Sequence, residues 1–126
     1  MAPARRSLTL AFGLLMGAGP ALAAAPDPWT RTDTLWEAAF AAVVAMDCGQ
    51  SVQIDPTGRY ERNPVLPRHP DPRTVRMICL GSVAGHVIVS RVLPVPWRRR
   101  FQAATVALEV AAVSSNYFYA GLSIKF

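Results

Sequence analysis

Apolar positions along this chain fall in three long blocks, and the polar residues inside each block recur at helical spacing. The blocks span residues 34–54, 71–93 and 96–116, each close to the roughly 20 residues a helix needs to cross the apolar core of a bilayer. On a helical wheel of about 100° per residue, Asp33, Glu37, Asp47, Gln50 and Ser51 fall on one side of the first helix. Arg76, Cys79, Ser82, His86 and Ser90 do so in the second, and Gln102, Thr105, Glu109 and Asn116 in the third. A helix on the surface of a soluble protein has the reverse proportion, a minority apolar stripe and a broad charged face. The pattern therefore predicts an all-α fold: a small membrane-embedded bundle of about three helices, with polar stripes facing one another and apolar arcs facing lipid.

The block ends carry helix punctuation. Thr34-Leu35-Trp36-Glu37 reads as a capping box opening the first helix, and the turn Asp55-Pro56-Thr57-Gly58 closes it. Asp71 is placed to cap the second helix with Pro72 at its first position, where a missing N–H costs nothing. Pro94 stops that helix. Trp97, Tyr117 and Tyr119 stand where interfacial aromatics belong. Residues 121–126 alternate apolar and polar and predict a short extended tail. A transmembrane barrel is excluded, because it needs at least about eight strands of roughly ten residues.

Ahead of the first block, Arg5-Arg6, the apolar stretch Leu8 to Met16 and Ala21-Leu22-Ala23 have the order of a signal peptide, 1–23, cleaved after Ala23. An uncleaved first anchor is the alternative. The remainder, 24–126, is one helical membrane domain with a proline-rich connector at 55–72. Within that connector, Glu61, Asn63, Arg68 and His69 are the polar candidates for contact with a partner.

Composition supports the membrane reading. The chain is 52% hydrophobic and 17% charged, against about 25% charged for an ordinary soluble domain. The net charge of +5 comes from arginines beside apolar helices, with Lys125 the only lysine. That is a basic collar facing anionic lipid rather than a nucleic-acid footprint, since no groove-reading motif accompanies it.

An up-down-up arrangement sets the depths of the ionisable residues. His86 and Glu109 should meet near mid-membrane, Glu37 should lie level with Arg91, and Asp47, Gln50, Arg76 and Asn116 should share the opposite layer. Ionisable groups in a bilayer usually signal function. Here holding three helices in register outweighs chemistry, because H-E-x-x-H, G-x-S-x-G and P-loop patterns are absent. No cofactor or metal is expected. Gly81 and Gly85 form a GxxxG, a candidate oligomer face. Cys48 and Cys79 fall at matching depths and would form a disulfide if their end faces an oxidising compartment. A cleaved signal would place the 52–73 loop inside and Arg98-Arg99-Arg100 outside, which sits badly with the positive-inside rule.

Asp47-x-x-Gln50-Ser51, then Glu61-x-Asn63-Pro64-x-Leu66-x-x-x-Pro70, then His86, Leu93-Pro94 and Arg98 to Gln102 resemble the pattern of uncharacterised small proteobacterial and prophage-associated exported membrane proteins. The resemblance covers most of 24–126 and implies a signal segment followed by apolar helices. It carries over no functional residue. The expected role is that of a non-catalytic scaffold or accessory protein of the bacterial inner membrane, acting on the bilayer and on a membrane-protein partner or a second copy. The rivals are an oligomeric transport or lysis protein with a His86/Glu109 polar path, a membrane enzyme using Asp47, His86 and Glu109, and a periplasmic helical domain.

Overall fold

The computed structural model describes residues 27–54, 58, 61 and 65–124. The expected signal peptide, Asn63 of the partner loop and Lys125 lie outside the described residues. Three helices run in order, α1 (Arg31–Ser51), α2 (Pro72–Val92) and α3 (Val95–Phe118), and no strand occurs among the described residues. The all-α expectation is met. Of the described helices, only α2 is long and apolar enough by itself to cross a membrane.

The first helix begins one turn ahead of the expected capping box. Thr30, not Thr34, is the N-cap: its hydroxyl accepts the Asp33 N–H at 3.2 Å while the Asp33 carboxylate accepts the Thr30 N–H at 2.7 Å. Asp33 prevails because its carboxylate is also held by the buried guanidinium of Arg98, 3.3 Å away. Thr34 instead accepts the Trp29 indole N–H at 2.9 Å.

Asp71 caps α2 as its sequence position requires, taking the Arg73 and Thr74 N–H groups at 3.0 Å each. Pro94 ends that helix and directly precedes α3. No side chain at Pro94 caps α3; the Val95 N–H instead donates to the Asp27 carboxylate at 2.8 Å. A carboxylate from the start of the domain thus stands at a helix N-terminus, where the helix dipole favours negative charge.

The C-terminal tail folds back rather than extending. Gly121 takes a positive φ of 63°, a conformation that suits glycine. The Leu122 N–H returns to the Asn116 carbonyl at 3.0 Å. Leu122 is thereby buried near the end of α1, where the Gln50 amide donates to its carbonyl at 3.3 Å.

Contacts along the helices define an up-down-up bundle. Glu37 meets His86 and Cys48 meets Cys79, so α1 and α2 are antiparallel. Asp33 meets Arg98 and Asp47 meets Asn116, so α1 and α3 are parallel. Helix α1 packs against both others, while α2 and α3 touch sparsely and leave a cleft. The buried apolar residues are few: Phe40, Val44, Ile54, Val75, Val113 and Leu122. The largest fully buried side chains are Arg98, Gln50 and Gln102.

The Thr74 hydroxyl and then the Thr74 N–H hold the Asp71 carboxyl below its ordinary range. A folded value below the unfolded one contributes stability above about pH 4 that is lost as pH falls through the folded value. Asp71→Ala should abolish this acid limb and speed amide exchange at Arg73 and Thr74, with Asp71→Ser restoring part of the protection. Unchanged exchange in Asp71→Ala would contradict the cap.

Candidate functional site

Interior polar residues stack in three layers along α1. In the layer nearest its start, Arg98 has no accessible surface. Its guanidinium donates to the Asp27 carbonyl at 3.0 Å and to the Pro28 carbonyl and Asp33 carboxylate at 3.3 Å each. Two cations lie against Trp29, the Arg91 guanidinium 4.0 Å and that of Arg98 5.5 Å from its ring centre. Arg99 reaches Thr30 at 2.9 Å. This clasp ties residues 27–30 to the corner between α2 and α3.

The middle layer joins all three helices through one carboxylate. Glu37 on α1 accepts from the His86 Nδ1–H of α2 at 2.7 Å and from the Gln102 amide of α3 at 2.9 Å. His86 Nε2 lies 2.7 Å from the Thr105 hydroxyl. The imidazole is sandwiched between Phe40 and Phe101, with ring centres 3.7 and 4.6 Å away and near-parallel planes. Its side chain is 3% accessible and that of Glu37 10%. Charge-assisted hydrogen bonds in such a water-poor setting are stronger than exposed ones.

The layer near the end of α1 is built from amides and short polar side chains. Asn116 donates to Asp47 at 2.9 Å, Gln50 donates to the Val113 carbonyl at 3.2 Å, and the Ser51 hydroxyl donates to Glu61 at 3.0 Å. The Glu61 N–H in turn donates to the Arg68 carbonyl at 2.8 Å. The connector is thus fastened to α1 through Glu61, while Arg68 and His69 are exposed. Beside this layer, Cys48 and Cys79 form a disulfide between α1 and α2.

Several expected pairs change partners. Glu37 binds His86 rather than Arg91, which has moved to Trp29. His86 bonds Glu37 and Thr105 rather than Glu109, with which it lines the α2–α3 cleft, about 290 Å³ in volume. Arg76 is exposed and stands apart from Asp47, Gln50 and Asn116, its place on the inward side taken by the fully buried Val75. The cause is an offset in depth for the Glu37 and His86 pairs and a rotation about the α2 axis for Arg76. Depth matching from helix ends assumes blunt, level ends, whereas Arg98 and the Thr30 cap extend α1 by a turn at its start.

Arg98 was legible in the sequence beside Gln102, which the expected stripe of the third block already contains. The two are four residues apart on α3 and continue the stripe of Thr105 and Glu109 by one helical turn each. Counting Arg98 with the loop arginines hid it.

Glu37, His86 and Thr105 stand in the order carboxylate, imidazole, hydroxyl, which in hydrolases activates a nucleophile. The Thr105 hydroxyl, however, also lies 2.8 Å from the Phe101 carbonyl of its own helix. The backbone N–H groups around it are engaged in the α3 ladder, so they supply no oxyanion donors. Asp47, His86 and Glu109 do not form one cluster, since Asp47 bonds Asn116 in a different layer. Among the described residues, no three His, Cys, Asp or Glu side chains gather as a metal site requires. What the middle layer can do is hold three helices in register.

No protein-family model, curated protein or solved structure matches the chain.

Removing Glu37 leaves the His86 and Gln102 donors without their shared acceptor. Glu37→Ala should destabilise the bundle by about 3 kcal/mol, and Glu109→Ala, which breaks none of these bonds, by less than about 1 kcal/mol. Unfolding in detergent micelles measures both. Equal effects would remove Glu37 from its central place.

Proposed function

We propose that this chain is a small membrane-embedded scaffold or accessory protein of the bacterial inner membrane, acting through contacts with lipid and membrane partners rather than by catalysis. One observation carries the reading: the bundle is polar within and apolar without. Arg98, Gln102, Gln50 and Asp33 are buried, while Leu80 is 68% exposed, Ile88 64% and Leu108 70%. In water this arrangement gives up apolar burial and also incurs the cost of burying polar groups. In hydrocarbon it is favourable on both counts.

Other features support the same reading. The 21 residues of α2 span about 31 Å at 1.5 Å per residue, enough for the apolar core of a bilayer. Gly81 and Gly85 present open backbone, with nothing within 4 Å of where a Cβ would stand. A neighbouring helix can therefore approach closely there, as a second copy or another membrane protein. The rival transport role draws on the cleft that His86 and Glu109 both line. Reconstituted protein that leaks neither protons nor small solutes would exclude it.

The Cys48–Cys79 disulfide supplies a direction, because disulfides persist in oxidising compartments. In a spanning bundle, the Cys48 end then faces the exterior and the Arg31 end the cytoplasm. A signal cleaved after Ala23 would impose the opposite direction, so the two exclude one another for a spanning bundle.

Two measurements in cells test the proposal. The protein should remain with membranes through alkaline carbonate extraction, and release into the soluble fraction would favour the periplasmic alternative. Compartment-specific reporters should place the C-terminus outside and a site beside Asp27 inside. A C-terminus in the cytoplasm would overturn the orientation.

A further inference from the structure

The end of the bundle built around Trp29 carries more than the clasp requires. Across residues 27–33 and 91–100 stand five arginines against two aspartates. Both aspartates are engaged within the protein. Asp27 caps the first N–H of α3 and Asp33 is buried against Thr30 and Arg98. Arg98 is spent on that burial, and Arg99 is partly engaged by Thr30. Arg31, Arg91 and Arg100 remain exposed at one rim, on three different helices.

Two of these cations are laid on indole faces. Arg91 lies over Trp29 at 4.0 Å and Arg100 over Trp97 at 5.2 Å. Trp97 is itself 60% exposed, and apolar Val92 and Leu35 stand exposed at the same end. Tryptophan prefers the depth of lipid headgroups. A guanidinium pairs with phosphate oxygens through parallel hydrogen bonds while its flat face stays on the ring. The rim therefore offers phosphate-binding charge at the depth where phosphates lie, above side chains suited to acyl chains.

We infer that the Arg31–Arg91–Arg100 rim, with Trp29 and Trp97, is a contact surface for the headgroups of anionic phospholipids. The inference deepens the membrane reading and rests on it. It adds a preference that an apolar exterior alone does not supply, since apolar faces do not distinguish zwitterionic from anionic lipid. Each arginine close to an anionic surface strengthens association by about fivefold. Removing two should weaken the preference by on the order of tenfold or more.

The test uses the full chain reconstituted in phosphatidylcholine vesicles that contain brominated phosphatidylglycerol or brominated phosphatidylcholine at equal mole fraction, with flotation run in parallel. Bromine quenches tryptophan on contact. Trp36 is replaced by phenylalanine so that Trp29 and Trp97 report. Stronger quenching by phosphatidylglycerol, weakened by salt and largely abolished in Arg31→Gln/Arg100→Gln, is the expected result. Both substituted residues are exposed and lie outside the Arg98 clasp, so helical content should be unchanged.

Equal quenching by the two lipids in protein that floats with both kinds of vesicle would overturn the headgroup contact and leave the embedded bundle standing. Flotation with anionic vesicles alone, released by salt, would support the contact and overturn embedding. Flotation with neither would overturn both.

Discussion

One carboxylate organises this bundle. Glu37 is the group to which α2 and α3 both donate, through His86 and Gln102, and the direct links between α2 and α3 also run through His86, to Thr105 and Phe101. With a thin apolar core, packing alone leaves the helices free to slide and rotate. A largely buried carboxylate with two specific donors does not, because any slip of one helix leaves a donor or an acceptor open in a water-poor interior. The stacking of His86 between Phe40 and Phe101 restrains the imidazole plane and so the direction of both its hydrogen bonds.

The two ends of α1 are secured by different chemistry. At its start, buried Arg98 gathers two carbonyls and a carboxylate; near its end, the disulfide and the Gln50 amide tie α2 and the returning tail to it. Arg31 and Cys48 are 17 positions apart, or about 26 Å along a helix axis, close to the thickness of a bilayer's apolar core. A basic aromatic rim at one face and a disulfide at the other suit a body whose ends meet different compartments.

Much of this was legible from side-chain spacing alone. The three helices, the Asp71 cap, the Pro94 break and the three polar stripes that contain Glu37, His86 and Gln102 follow from periodicity and from what proline and aspartate do to a backbone. The start of α1 did not, because two T-x-x-acid patterns overlap at Thr30 and Thr34 and only the burial of Asp33 by a residue 65 positions away decides between them. Pairings were the least legible. Helix ends that are not level shift depth by a turn, enough to exchange Arg91 for His86 as the partner of Glu37. The folded-back tail depended on Gly121, whose backbone freedom is visible in sequence but whose direction of use is not.

On the proposed reading, the apolar residues of this protein lie outside because hydrocarbon is its solvent. Spin labels at Leu80, Ile88 and Leu108 in the reconstituted protein test it through collision with oxygen, which concentrates in lipid, against a water-soluble nickel chelate. Strong relaxation by oxygen and little by nickel is expected at all three positions, with a label at exposed Arg68 showing the reverse. Nickel accessibility at Leu80, Ile88 and Leu108 equal to that at Arg68 would contradict it.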